Sequence, residues 1–346
     1  MSGREKASGS RAAVALWALG VVVILLFPLC LVYGAVDIPL TGVVSALTGG
    51  SGNRVWDVIV VEARLPMALT ALLAGAGLSV AGLLLQTTFD NPLAGPSILG
   101  VSTGSSLGVA IVLLASGGAI VSQMGQYLAT LGGALVGALA VLLVLLALSK
   151  VVKSNAMLLI VGVLVGYLAS SAISLLNFFA TQEGVHSFVI WGMGNFSGVS
   201  LDRLAVFGSV TLLLLALTFL MVKPLDALLL GARYARSLGV NILATRNRLL
   251  FLSGALTAVV TAFCGPIGFL GLVVPHIARL CVATSRHAVL IPATILSGAA
   301  VAELCALVSV LPGEWGIIPI NALTPVVGVP IIIYIIVARR RLHYFN

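Results

Sequence analysis

Charge is scarce in this chain. Only 8% of its 346 residues are Asp, Glu, Lys or Arg, where a water-soluble protein carries roughly 25%. So few charged side chains cannot cover a water-facing surface, which excludes a soluble enzyme, a nucleic-acid reader and a disordered chain. Cysteine is also sparse. Cys30, Cys264, Cys281 and Cys305 stand singly in apolar segments, without CxxC spacing or His/Cys clustering, so a disulfide or zinc framework is not expected. No G-x-x-x-x-G-K-[ST] run occurs. No connector between apolar segments is long enough for an ATP-binding domain. Any energy source is then another polypeptide or an ion gradient.

What is present in excess is apolar sequence, 60% of the chain, with a mean hydropathy of +1.20. A spanning helix needs about 20 mostly apolar residues. Ten such segments lie near 12–35, 64–86, 97–117, 124–149, 155–181, 203–223, 246–264, 268–283, 287–311 and 319–338. The expectation is an all-α polytopic membrane protein forming one transmembrane domain over 1–346. The eighth segment is short and holds Gly268, Gly271 and Pro275, so it is read as tilted or broken. The first is read as a retained span, because its apolar run is too long for a signal peptide and no A-x-A-like site follows.

Ten spans put both termini on one side, and the cationic residues sort accordingly. Fifteen fall at that side (Arg4, Lys6, Arg11, Lys150, Lys153, Lys223, Arg233, Arg236, Arg246, Arg248, Arg279, Arg286, Arg339, Arg340 and Arg341). Three fall at the other (Arg54, Arg64 and Arg203). By the positive-inside rule both termini are cytoplasmic. The opposite face gathers Asp37, Asp57, Glu62, Glu183, Asp202 and Glu314. The net charge of +8 is therefore an orientation signal, and no nucleic-acid partner is expected.

Ionisable residues inside a bilayer are costly and usually functional, and Glu303 is the clearest one at mid-depth. Their scarcity favours a pathway worked from outside the bilayer over a proton- or sodium-driven carrier. The 38 glycines are read as helix-packing sites, as at Gly75, Gly77 and Gly82 or Gly132, Gly133 and Gly137. An intramembrane protease built from a serine of 102–106 and His276 is a third reading, which the Gly-rich helical setting disfavours.

Three segments carry more information. The first runs from Arg64-Leu65-Pro66 through Gln86 to Asn91-Pro92-Leu93-Ala94-Gly95-Pro96, a fixed turn by its prolines. The second, Lys223 to Val240, is a polar, helix-capable stretch stopped by Gly239, suited to docking in a partner's groove or to lipid headgroups. The third is Gly265-Pro266-Ile267-Gly268-Phe269-Leu270-Gly271 through Pro275-His276 to Arg279. Gly95-Pro96 then Leu99-Gly100 echoes Gly265-Pro266 then Leu270-Gly271, a faint sign of two weakly related halves.

At these residues the sequence resembles the iron-siderophore, haem and cobalamin (FecCD-type) family of ABC-importer permeases. The motifs are RLP…Q..F.NPLA.P..LGV..G at 64–104, LGA..A..LGV at 230–240 and GPIGFLGLVVPHIAR at 265–279. Weaker matches lie at Trp191 to Phe196 and from Pro319 through Thr324 to Pro330. The resemblance implies a homodimer in a bacterial inner membrane, with a pathway at the dimer axis. It further implies two ATP-binding subunits below and an extracytoplasmic substrate-binding protein above. ATP then sits on the partner subunit, and this chain binds no cofactor or metal and is not itself an enzyme.

The same resemblance implies roles for particular residues. Segment 224–240 is the coupling region, with Leu230, Gly231, Ala232, Arg233, Ala235, Arg236, Leu238 and Gly239 meeting the ATP-binding subunit. Asn91, Pro92 and Leu93 with Ser154, Asn155 and Ala156 form the cytoplasmic gate. Arg64 docks the binding protein. Gln86, Gly265, Pro266, Gly268, Pro275, His276, Asn321 and Thr324 line the pathway or break helices. Three positions depart from the family pattern: Met67 and Leu307 stand where many relatives have Arg, and Asn321 replaces a common Gly. The expected cargo is an iron chelate, siderophore or haem, with cobalamin as the alternative.

Overall fold

The computed structural model describes residues 3–115, 123–152, 154–311, 313 and 316–338. Lys153, Glu314 and Arg339–Arg341, used above for orientation, lie outside the described residues. Among the described residues every regular element is helical. In chain order the helices are α1 (Gly3–Val32), α2 (Leu40–Thr48), α3 (Arg54–Val58), α4 (Leu65–Phe89), α5 (Val101–Ala115), α6 (Gln123–Val151), α7 (Asn155–Phe179), α8 (Gln182–Gly192), α9 (Leu201–Thr218), α10 (Val222–Leu228), α11 (Ala232–Ser237), α12 (Ile242–Cys264), α13 (Leu270–Val282), α14 (His287–Val310) and α15 (Ile320–Ala338). A π-helical turn, Ile59–Arg64, joins α3 to α4, and a 3-10 turn, Phe219–Met221, joins α9 to α10.

Seven helical stretches are long and apolar enough to cross a membrane, and three shorter apolar helices, within α5, α13 and α15, fall on the remaining expected segments. The second span is longer than hydropathy suggests: the stretch runs unbroken from Arg54 to Phe89. The turns ahead of residue 64 carry Asp57 and Glu62, which hid them from an apolar window.

α4 is the axis of the bundle. Nearly nine-tenths of its span is buried, and α9, α12, α13 and α14 all pack against it. Glycine makes this approach possible. A Cβ on Gly75 would lie 2.2 Å from the Gly298 carbonyl oxygen of α14, and one on Gly82 1.7 Å from that of Gly271 in α13. The Gly271 carbonyl has no donor four residues on, because residue 275 is proline; the bare face of Gly82 covers it instead. The same device joins α5 to α6, through Gly104 with Gly137 and Gly108 with Gly133, whereas Gly132 meets nothing within 4 Å.

α5 has 15 residues and α13 has 13, about 20 Å of helix at 1.5 Å per residue, against a hydrocarbon core of about 30 Å. The missing depth is filled by irregular chain, 91–100 before α5 and 265–269 before α13. Non-helical backbone at membrane depth is tolerated where protein encloses it, and Ala94, Gly95, Pro96, Leu99 and Gly100 are all buried. The echoed Gly-Pro…Leu-Gly segments thus occupy equivalent places, each just ahead of a shortened helix. The eighth segment, expected to be tilted or broken, is one short helix, continuous through Pro275 and preceded by irregular chain.

Arg64 requires a correction. It is only 5% exposed, and its guanidinium donates to the carbonyls of Leu31 (2.9 Å), Val32 and Val36. Those are terminal carbonyls of α1 and the turn after it, which lack intrahelical donors. Arg64 is a C-cap for another helix and presents no cation for a binding protein to meet. The two departure positions beside it are interior as well: Met67 is buried, and Leu307 packs on the cluster of Cys30, Val60 and Ala68.

Candidate functional site

The polar side chains of the bundle gather at the basic end, around the C-terminus of α4. Three consecutive residues there reach three different helices. Gln86 donates through Nε2 to the Leu272 carbonyl (3.0 Å) and accepts from Arg279 Nη1 (2.7 Å), both in α13. Thr87 Oγ1 lies 3.0 Å from His287 Nε2 at the start of α14. The Thr88 carbonyl accepts from Asn155 Nδ2 (2.8 Å) at the start of α7. Asp90, with φ 48°, then ends α4 in a left-handed cap.

Each contact extends outward. Asp226 Oδ1, in α10, accepts from both the main-chain N–H and Nδ1 of His287, at 2.8 Å each. With Nδ1 donating, Nε2 of a neutral ring is left to accept from the Thr87 hydroxyl. Asn155 Oδ1 accepts from Arg246 Nη1 (3.3 Å), and the buried guanidinium also donates to the carbonyls of Ser149 and Val152 (2.9 Å to the latter). His276 Nε2 meets the Pro92 carbonyl at 2.8 Å. A cavity of about 30 Å³, walled partly by Gln86, Thr87, Asp90 and His287, sits at the junction, room for a water molecule or two.

The expected gate residues do converge here. Asn91 and Asn155 are half-buried; Leu93, Ser154 and Ala156 are exposed. Asn91 Oδ1 accepts from Leu93 N (2.9 Å) and holds the turn, and Ser154 caps α7 through Met157 N (3.4 Å). The expected coupling segment is two helices rather than one, separated by Gly231 at φ 92° and closed by Gly239 at φ 83°. α11 and the residues flanking it expose Leu230, Tyr234 and Leu238, at 62%, 55% and 57%, together with Arg233 and Arg236. Ala235 departs from expectation: it is wholly buried, so it anchors α11 and offers no surface to a partner.

The expected pathway residues mostly tie elements together. Gln86 and His276 are buried and bonded as above, and Pro275 lies inside α13. Thr324 is buried with its hydroxyl unpartnered among the described residues. Gly265, Pro266, Gly268 and Asn321 form a knot at the other end of the bundle. Asn321 donates to the carbonyls of Gly192 (3.2 Å) and Pro266 and accepts from Gly268 N (2.9 Å). Gly265 has φ 74°, and a Cβ on it would lie 2.5 Å from the Trp191 carbonyl. The serines of 102–106 lie apart from His276: Ser102 faces Thr261 and Ser106 bonds the Ser102 carbonyl.

Sequence reasoning passed over Asp226, His287, Thr87 and Arg246 as site residues. Asp226 was the available signal, as the sole acid of the 223–240 stretch. Also unforeseen is the outer face of α7, where Ser170, Ser171 and Ser174 are exposed beside Tyr167. Ser174 Oγ donates to the Ser170 carbonyl (3.1 Å) within the helix.

Comparison with known proteins agrees with this architecture. Residues 22–338 match the model of the FecCD transport family. The vitamin B12 import system permease protein BtuC of Escherichia coli O9:H4 (strain HS) is 35% identical over 292 residues, covering 82% of this chain and 85% of that protein. BtuC of Salmonella typhi matches to the same extent. A solved chain, described as a metal-chelate type ABC transporter in an inward-facing conformation, superposes with a TM-score of 0.80 at 30% identity, over 94% of this chain and 98% of that one.

Proposed function

The chain belongs to the FecCD transport family, and from that premise we propose what it carries and how it is driven. It is a multi-pass permease of an ABC importer, with ATP hydrolysis carried by a separate subunit. We propose that two copies pair around a shared conduit, each exposing the serine face of α7 to it. The basic end faces the cytoplasm of a bacterial inner membrane, an orientation that the distribution of Lys and Arg supports. Two ATP-binding subunits dock there, and an extracytoplasmic binding protein delivers cargo at the other end.

In this reading α11, with exposed Leu230 before it, Tyr234 within it and Leu238 after it, enters a groove of the ATP-binding subunit. Movement of that subunit is transmitted through α10. The observation that carries the mechanism is the run of contacts from Asp226 through His287 to Thr87, which joins the docking helices to the axis of the bundle. One residue along, at Thr88, Asn155 holds the end of α4 to α7. Displacing α10 therefore bears on the Asn91–Leu93 turn and the α7 start together, and these act as the gate. Copurification of an ATP-binding subunit tests the docking: Leu238→Asp with Tyr234→Ala releases it, and a complex that survives both refutes the assignment.

The cargo is a bulky iron chelate, siderophore or haem, held weakly by hydroxyls and small apolar groups, with selectivity resting on the binding protein. Cobalamin is the second reading, favoured by the BtuC relatives. Uptake of ferric siderophore, haem and cobalamin into vesicles holding the full complex separates the two.

A further inference from the structure

Between α6 and α9 a groove of about 700 Å³ opens on the outside of the bundle at its basic end. α12 packs against both helices and floors it. Its origin is local. Pro224 has no N–H for the Leu220 carbonyl, so α9 gives way to a 3-10 turn before α10 begins. The turn swings Leu220 outward to 74% exposure.

The walls are Leu146, Leu217, Leu220 and Phe251, and the rim carries Lys150 and Arg248. Both cations are exposed, no acidic residue lines the groove, and neither cation pairs with another described residue. About one turn further along the same helices, α6 exposes Leu143 and α9 exposes Leu212 and Leu213, apolar surface suited to the hydrocarbon. An occupant must therefore be apolar toward the bilayer and anionic at the rim.

We propose that this groove binds an anionic phospholipid, its phosphate held by Lys150 and Arg248 and its acyl chains laid along Leu146, Leu217 and Phe251. A zwitterionic lipid fits the walls but carries an ammonium toward the two cations. Basic pockets between spanning helices are a recurrent means of holding acidic headgroups. Because Pro224 and Met221 also line the groove, the lipid touches the start of α10, the helix that carries Asp226.

The test is native mass spectrometry of the purified full complex, titrated with phosphatidylglycerol or with phosphatidylcholine of matched chains. Wild type should retain phosphatidylglycerol about 30-fold better, two cations at the usual strength. Lys150→Ala with Arg248→Ala should bring the ratio close to one. Lys150→Arg with Arg248→Lys, and Arg11→Ala with Arg286→Ala elsewhere at the same end, should both leave it intact. Equal retention of the two lipids by wild type overturns the site. So does a preference that survives the double alanine variant, or one lost equally on replacing Arg11 and Arg286. Docking of the ATP-binding subunit is read separately, by its mass in the same spectra.

Discussion

Asp226 grips His287 twice, through its main-chain N–H and through Nδ1, both at 2.8 Å and both on the same carboxylate oxygen. The two residues are 61 positions apart in sequence, yet the pair pins the start of α14 to α10. A hydrogen bond to a charged group contributes about 2 kcal/mol, enough to transmit displacement without strain elsewhere. Asp226→Ala should leave the ATP-binding subunit bound but cut ATP-driven uptake about tenfold, the effect of ~1.4 kcal/mol. Parallel measurement of copurification and uptake checks this; equal loss of both would assign Asp226 to docking instead.

Arg246 is the most heavily committed cation of the site, with two carbonyls and Asn155 on one buried guanidinium. Arg246→Ala strands those acceptors and should cost about 3 kcal/mol, read as a lower melting temperature in detergent. Lysine should not restore it, since a single ammonium cannot span a forked set of acceptors.

Asn155→Trp should change uptake while the complex still assembles. The side chain sits half-buried at the rim of the bundle, so a larger group displaces the Asn91–Leu93 turn more readily than it unfolds the core. Uptake indistinguishable from wild type would remove Asn155 from the gate.

The paired glycines separate cleanly in expectation. Gly82→Ala sets a methyl 1.7 Å from the Gly271 oxygen, with backbone on both sides, and should abolish folded yield. Gly132→Ala meets nothing within 4 Å and should be neutral or favourable, since alanine is the better helix former by about 1 kcal/mol. Size-exclusion profiles of the two variants are the measurement.

Glu303 is fully buried, and neither carboxyl oxygen has a partner among the described residues. A buried charge without a partner is expensive, so no ion pair is lost in Glu303→Gln. That variant should melt at or above the wild-type temperature. A lower melting point or a loss of transport would show that the acid, rather than its shape, is needed.

Hydropathy made the ten apolar segments legible because lipid demands a continuous apolar run, and that demand leaves its mark on every span. It failed just ahead of α4, where Asp57 and Glu62 lie in the α3 and π-helical turns that extend the second span. Gly239 was readable as a stop; the break at Gly231 was not. The Asp226–His287–Thr87 contacts were not, because each residue alone is unremarkable in its segment and only tertiary packing brings the three together. Arg64 misled for a related reason: its position in the sequence matched a docking cation, while its side chain turns inward to finish α1.

The enclosure of α4 also bears on how the chain is made. Synthesis delivers α4 early, while α12, α13 and α14, which cover its glycine faces, come late. A nascent chain must therefore hold its most interior helix against lipid, with the bare Gly75 and Gly82 grooves open, until the C-terminal third arrives. Truncation anywhere before α14 would leave at least the Gly75 face of that helix permanently uncovered, a natural mark for membrane quality control to recognise.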